Sequence, residues 1–440
     1  MFDYVVVGLG PTGITIGLHL LQTNKKVLFI ETEGSIGGCW KTSYTQQGYF
    51  TEHSPKVLSK TGTKTFNKLL NYLEVDPQYK ELYLYSHFSS IFEHIRKHFT
   101  FYDLCNFIIY FVLYLIAFND KKITVEEWCN EKNLSDKSKI FINIICITVS
   151  NTNDKLSMHS LIQFMITKYR YFINLNQLYN TSEWLNKSYE KIKKNNNFKF
   201  LFNTSVTSLN ITKHNNKINY IITNNEKPIY AKSFILCTPL RSLYKIMKLS
   251  NEPNWFKSMD MFKYFTDRSS YTGIGFQLHY DKKVILIDKS WCWSCFGDWK
   301  VIVIDKTHLL KRISFDKSIK QVLSCVIVDL DTKSKYLRKS VNECGSVKEI
   351  VDEGIRQMGK SIQTPKKVTY SPNIFKSSDF GWESNDSSFS HSMGSIPWKG
   401  KINNLYSVGP HNTDEVVIID TAIDNAVLFS KTILKTNSLF

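Results

Sequence analysis

The residues with the clearest chemical meaning stand near the start of the chain. Gly8-Leu9-Gly10-Pro11-Thr12-Gly13 has the spacing G-x-G-x-x-G, which holds the diphosphate of a dinucleotide when it joins a buried strand to a helix. Gly8 permits the tight turn, Gly10 omits the Cβ that would block the pyrophosphate, and Gly13 lets helix pack on strand. At Pro11 and Thr12 the helix N-terminus turns unpaired N–H groups and partial positive charge towards the phosphates. Glu31 follows about 20 residues later, where an acceptor for ribose hydroxyls belongs. Its negative charge would repel a 2′-phosphate, which disfavours NADP.

Elements of the required kind surround these residues. Asp3–Gly8 (DYVVVG) is an apolar run ending in glycine and reads as a buried strand. Thr12 to Thr23 places Ile14, Leu18 and Leu21 on one helical face, and Val27–Glu31 is a second buried strand. Together they make a strand–turn–helix–strand unit of about 30 residues. From about Phe66 to Asn186 the chain nearly lacks glycine and reads as helical, with helix starts at Thr124 and Ser135. Phe198–Phe202, Val206–Ile211, Ile218–Thr223 and Ser233–Cys237 read as strands, and Gly273 to Asp331 is again strand-rich. A helix at Val347–Met358, a polar loop at Ser377–Ser392, a strand at Leu405–Val408 and a helix from about Thr421 to Leu434 complete the chain.

A second glycine pair narrows the choice of dinucleotide. Gly37-Gly38-Cys39-Trp40-Lys41-Thr42 resembles the diglycine motif of flavoproteins of the glutathione-reductase type, where bare backbone passes close to FAD; a simple NAD dehydrogenase has no need of it. Gly48-Tyr49-Phe50-Thr51-Glu52-His53 resembles a G-Y-x-x-E segment, and Ile123–Trp128 resembles an S-V-x-E-W-L helix start. Phe234–Leu240 is similar to a V-I-x-T-x-P strand, and Leu405–Gly409 with Val417–Ala426 to a closing L-Y-x-A-G-E … G-x-x-E-G-A element.

With these motifs spread over most of its length, the chain resembles the flavin-containing amine oxidase superfamily, which also holds protoporphyrinogen oxidases and phytoene-desaturase-like enzymes. The resemblance implies an α/β fold, a Rossmann-like FAD-binding domain of the glutathione-reductase type interleaved with an α+β substrate domain. Residues 1–65, 190–245 and 400–440 would form the first, and 66–189 with 246–399 the second. It implies FAD held by Gly8, Gly10, Pro11, Thr12, Gly13, Glu31, Gly37, Gly38 and Trp40. The backbone of Val206 would meet the adenine, and Gly409 and the N–H of Ile419 the flavin. The implied reaction is hydride transfer from a C–N or C–C unit of a small or lipophilic substrate to flavin N5.

Departures from the pattern leave the catalytic residues unassigned. Pro410-His411-Asn412 replaces the acidic residue after the closing glycine, with Asn412 or Asp414 as substitutes for a ribityl contact. Val417, Thr421 and Ala426 replace glycines of the closing element. The strand Ile274–Tyr280 reads Phe276-Gln277-Leu278 where many amine oxidases carry a lysine near flavin N5. His53, Gln277 and Trp382 are therefore the cavity candidates. Trp382 with Trp291, Trp293 and Trp299 could line an aromatic cavity, although core packing is the commoner use of tryptophan. A non-redox, mutase-like flavoprotein and a degenerate structural or interaction protein that keeps the fold remain open as alternatives. A flavin monooxygenase is disfavoured, since no second G-x-G-x-x-G follows.

Composition sets the outer bounds. The 440 residues, 42% hydrophobic and 14% aromatic, suffice for more than one domain and speak against global disorder. The net charge of +17 favours anionic partners, but the basic residues are scattered and no nucleic-acid motif accompanies them, so a small-molecule substrate and no nucleic acid are expected. Nine cysteines without regular spacing suit reduced thiols. Cys292-Trp293-Ser294-Cys295 falls in a strand pattern that turns the two thiols to opposite faces, and no second Cys/His pair stands at metal-ligand spacing. With no cleavable leader in view, a cytoplasmic protein is expected. Phe107–Phe118 is continuously apolar but far short of the roughly 20 residues that span a bilayer. A buried helix is the first reading of that segment, and a helix lying in a membrane surface the second.

Overall fold

A computed structural model describes residues 1–82, 95–96, 98–116, 123–149, 152–168, 175–178, 181–212, 214–284, 294–309, 316–359, 362–371, 373–384, 388–389 and 394–440. Trp291, Trp293, the Cys292 half of the C-x-x-C and residues 117 and 118 of the apolar run lie outside the described residues.

The opening strand, Phe2–Val7, has neighbours on both sides and joins a five-stranded sheet whose adjacent strands are all parallel. Across the sheet the strands are Leu405–Ser407, Ala231–Leu236, Phe2–Val7, Val27–Ile30 and Phe198–Leu201. Numbered in chain order and read from the Phe198–Leu201 edge this is 3-2-1-4-5, the doubly wound arrangement in which ligands bind beyond the carboxyl ends of the strands. Successive side chains of a strand face opposite ways, and the two faces form separate cores. Val6, Phe29 and Ile235 pack with Ile14 and Leu18 of the Pro11–Leu20 helix and Ile423 and Phe429 of the Ile419–Thr432 helix. Val5, Val7, Leu28, Phe234 and Leu236 pack with Leu243 and Met247 of the Leu240–Leu249 helix and with Leu209 and Ile221 of a small antiparallel sheet.

A second five-stranded sheet is antiparallel throughout, in the order Ser294–Phe296, Val301–Asp305, Gln321–Ile327, Ile274–Tyr280, Lys367–Tyr370. Phe276, Leu278, Leu323 and Cys325 face the Val347–Gln357 helix together with Trp299 and Trp382. The opposite face carries Ile302, Ile304 and Val326, which pack against Trp128, Ile142 and Ile162 of the helical block.

Helices at Phe101–Ile116, Val125–Glu131, Asp136–Val149 and Met158–Thr167 make up that block. Thr124 and Glu127 cap each other's exposed backbone N–H groups, the reciprocal arrangement that starts a helix sharply. The stretch read as helical also contains a strand pair, Tyr79–Leu82 with Leu175–Leu178; four-residue strands are too short for periodicity to separate from helix.

The buried-helix reading of the apolar run is corrected. On Phe101–Ile116 only Asp103, Tyr110 and Tyr114 are buried. Asp103 accepts from the hydroxyls of Ser135 at 2.5 Å and Ser138 at 2.6 Å, and the Tyr114 hydroxyl is shared between His159 and Gln163. Phe101, Tyr102, Ile108, Ile109, Val112, Leu113, Leu115 and Ile116 are exposed, from 45% at Val112 to 85% at Phe101. They recur at helical spacing on one face, and no charged side chain interrupts them. Hydrophobicity all round the helix was legible, but which half would be covered was not. Among the described residues no helix is long and apolar enough to cross a membrane.

Candidate functional site

A cleft of about 590 Å³ opens at the carboxyl ends of the parallel strands. Gly8, Gly10, Pro11, Thr12, Glu31, Gly38, Trp40, Val206, Gly409 and Ile419 line it. Gly13 and Gly37 do not; they shape the turns behind it. A Cβ on Gly13 would lie 2.0 Å from the carbonyl oxygen of Gly8, so only glycine lets the helix approach the strand end. Gly37, at φ 125°, holds a conformation that L side chains rarely adopt. Gly10 differs from both, since a Cβ there would meet nothing nearer than Gly38 Cα at 3.9 Å. Its missing side chain leaves open space on the cleft rather than a packing contact.

Two helix N-termini reach the same space. The Pro11–Leu20 helix has no side-chain cap and no acidic residue in its first turn, which leaves its positive end free for an anion. The Ile419–Thr432 helix also lacks a side-chain cap, and Ile418, Ile419 and Ala422 line the cleft. Its one first-turn acid, Asp420, is turned away and accepts from the backbone of Phe66 at 2.8 Å. Burial raises the Asp420 pKa to about 6 against the opposing backbone hydrogen bonds.

Glu31 ends the second strand as expected. Its two oxygens accept from Leu9 N at 2.7 Å and Glu33 N at 3.0 Å, so it braces the glycine turn from which the cleft is built. Burial raises its pKa, and those two N–H groups oppose the rise.

The segment Ser54–Val57 forms part of the opposite wall, and the antiparallel sheet places it there. A Cβ on Gly275 would overlap the His53 carbonyl oxygen at 1.7 Å, so the strand Ile274–Tyr280 touches this segment backbone to backbone. Gln277 accepts from Glu52 N at 3.1 Å and donates to Glu52 O at 2.8 Å. Fully buried Gln277 is thus a clamp on the wall and does not line the cleft, which corrects its assignment as a cavity residue. The same holds for His53, hydrogen-bonded through Nδ1 to Ser371 at 2.8 Å, and for Trp382, which packs in the core and donates to Cys344 O at 3.1 Å. Trp299 is likewise a core residue, donating to Thr332 O. Asn412 accepts from Gly409 N and donates to Ile396 O; neither it nor Asp414 lines the cleft.

The wall carries a lysine that the motif pattern did not expose. Lys56 lines the cleft, its Nζ 3.3 Å from Glu52 Oε2 and 3.3 Å from Lys41 O. The other Glu52 oxygen accepts from Ser324 at 2.6 Å and faces Lys306 Nζ at 3.4 Å. Burial opposes the Glu52 charge, but Lys306, Lys56 and Ser324 together hold its pKa below the usual carboxylate range. Burial lowers the pKa of Lys306, with Glu52 opposing. Lys56 stands four residues after Glu52 in the G-Y-x-x-E segment; the spacing was visible, but Ser324 and Lys306 are remote in sequence.

Comparison with known proteins bears on this geometry. Residues 6–73 match the family described as NAD(P)-binding Rossmann-like domain. An uncharacterized oxidoreductase, CzcO of Bacillus subtilis (strain 168), is 30% identical over 81 residues, 17% of this chain and 24% of that protein. The chain therefore spans about a quarter of the curated relative it matches. Solved structures extend the likeness to the whole molecule. Wild-type putrescine oxidase bound to putrescine superposes with a TM-score of 0.64 at 14% identity, covering 99% of both chains. This chain has the putrescine oxidase fold. An oxidoreductase from Methanosarcina mazei shares that fold at a TM-score of 0.65 and 13% identity, over 98% of this chain and 100% of that one. Cyclohexylamine oxidase from Brevibacterium oxydans IH-35A does so at 0.61 and 11%, over 98% and 99%. In the putrescine oxidase fold of this chain, the Rossmann-type match falls on the opening strand, the glycine turn and the diglycine.

Proposed function

We propose that the protein is an FAD-dependent oxidoreductase of the amine oxidase type, taking a hydride from a C–N or C–C unit of a small or lipophilic substrate. The observation that carries this is one cleft joining a bare-glycine anion cradle at Gly8–Thr12 to a lysine-bearing wall at Lys56. The residues present fit the cofactor. Open space at Gly10 and the uncapped helix at Pro11 suit the diphosphate, Glu31 suits the ribose, Val206 the adenine, and Gly38, Trp40, Gly409 and Ile419 the flavin. When bound, FAD supplies the two-electron acceptor. The chain contributes orientation and shielding: Tyr271 and Phe164 line the cleft, and Glu52 fixes the Lys56 ammonium on its wall. In this reading 1–65, 190–245 and 400–440 carry the cofactor, and 66–189 with 246–399 the substrate.

The test is direct. Purified protein should be yellow and release FAD, identified by mass, on denaturation. Anaerobic mixing with a set of amines should then bleach it. A flavin that no amine or C–C donor reduces would favour the non-redox alternative, and a colourless protein unable to take up added FAD would overturn the reading.

The uncovered face of Phe101–Ile116 is best matched by a lipid surface. Its exposed residues are all apolar, and an apolar patch of this kind marks an interaction site. In sequence it lies between Arg96-Lys97 and Lys121-Lys122, and basic residues flanking an apolar helical face complement anionic headgroups.

A further inference from the structure

Beside the cleft lies a second cavity of about 520 Å³ that the proposed reaction leaves unassigned. Tyr271 lines both cavities, so they share a wall. In contrast to the cleft, this one is bounded mainly by charged and amide side chains, among them Arg241, Lys155, Asp154, Asp267 and Asn342.

Arg241 is the anomaly. It stands at the start of the Leu240–Leu249 helix, is only 6% exposed, and has no hydrogen-bond partner for Nε or Nη1. Its one close contact of note is the Phe380 ring, 5.0 Å from the guanidinium carbon. A guanidinium stays charged in proteins, and buried N–H donors left without acceptors are costly, more so on a charged group. Neighbouring carboxylates attract it, but none accepts a hydrogen bond from Nε or Nη1. Glu383 is paired with Lys245 at 2.7 Å, and Asp331 is held by Lys155 and Asn342, each at 2.9 Å. Burial lowers the Arg241 pKa, with Glu383, Asp267 and Asp331 opposing. The wall presents Glu126, Asp154 and Asp267 as well as Lys139, Lys155 and Lys300, so both signs of charge line the cavity.

We infer that this cavity binds a small aminocarboxylate, its carboxylate paired with the Arg241 guanidinium and its ammonium facing the acidic wall at Asp154 and Asp267. A carboxylate gives the planar fork of Arg241 the two-point acceptor it lacks. A ligand that carries both signs of charge matches a lining of mixed sign. Binding here does not depend on the redox reading of the neighbouring cleft.

Isothermal titration calorimetry on the full-length protein tests this with the ω-amino acids from glycine to 6-aminohexanoate, each matched to the carboxylate and the amine of the same length. At least one amino acid should bind about tenfold more tightly than both of its single-charge analogues. Arg241→Met should weaken that ligand about tenfold or more while the ligand-free Tm holds or rises, because buried N–H donors without acceptors have been removed. Asp267→Asn should weaken the amino acid but not the matched carboxylate. The inference is overturned if no amino acid outcompetes its amine, or if Arg241→Met leaves the affinity unchanged. It is equally overturned if Arg241→Met lowers the Tm or prevents folding, since the charge would then be structural. Flavin content measured on the same samples separates the two ideas: colourless protein that still binds the ligand sinks the redox reading and leaves this one standing.

Discussion

The two cavities that meet at Tyr271 are built by opposite means. At its cradle the larger cleft is built from backbone: glycines without side chains, two uncapped helix N-termini and the ends of parallel strands. Its polar neighbour is lined largely by side chains, with Arg241 and Asp267 arriving from two helices and Asp154 and Lys155 from one turn. A backbone site needs only that nothing obstruct it, so a short glycine pattern is enough to specify it. A side-chain site needs particular groups brought together from distant positions. Side-chain readings met the same difficulty: Gln277 and Trp382, candidates for the cavity, proved to be a clamp and a core residue.

The glycines give the sharpest way to break this comparison. Gly13→Val should be the most damaging change, because its Cβ would sit 2.0 Å from Gly8 O; overpacking of this kind costs about 3 kcal/mol or more, read as a large fall in Tm or as insoluble protein. Gly10→Val should fold and melt close to the wild type without cofactor, since its Cβ has room, yet lose flavin binding. Equal melting of both variants would remove the distinction between packing glycines and cradle glycines.

Next in size, Asp103→Ala should cost about 2–3 kcal/mol at neutral pH by denaturant unfolding, because two serine hydroxyls and a backbone N–H lose a buried charged acceptor. Burial opposes the Asp103 charge, but the hydroxyls of Ser135, Ser138 and Thr100 hold its pKa down at about 2, against 3.8 for the free group. Stability from a depressed carboxylate is fully present above the free value and lost as pH falls through the folded one. The gap between wild type and variant should therefore close as pH drops from 3.8 towards 2 and below.

Gln277→Leu should cost about 1–3 kcal/mol by leaving the Glu52 backbone N–H and C=O without partners. It should also loosen the wall that carries Lys56, seen as faster hydrogen exchange across 52–57. Unchanged exchange would show that Gln277 does not clamp this wall. Smallest in stability is Val112→Asp with Leu113→Asp, both on the exposed face, where such changes stay within about 0.5 kcal/mol. The pair should nevertheless abolish co-sedimentation with phosphatidylserine-containing vesicles; undiminished binding would remove the lipid-surface assignment.

Legibility in the sequence followed the distance over which each feature is specified. The glycine turn, Glu31 and the Thr124 cap are each encoded within about 30 residues, and each stands where the spacing puts it. The strand pair Tyr79–Leu82 with Leu175–Leu178 was missed because its pairing spans a long insertion. Glu52 offered a local signal through Lys56, but its other partners come from far along the chain, Ser324 from the middle of one strand and Lys306 from just past the end of another.

The chain's own order of residues determined the buried parallel strands, the bare-backbone cradle and the apolar character of Phe101–Ile116. Those depend on period, glycine placement and composition, which act locally. Only the tertiary structure decided that His53 and Gln277 turn away from the cleft, that Lys56 turns into it, that one face of Phe101–Ile116 stays uncovered, and that Arg241 is buried with Nε and Nη1 lacking hydrogen-bond acceptors. Each of these depends on which distant side chain arrives to satisfy a charge, a hydrogen bond or an apolar face, and no short-range pattern carries that information.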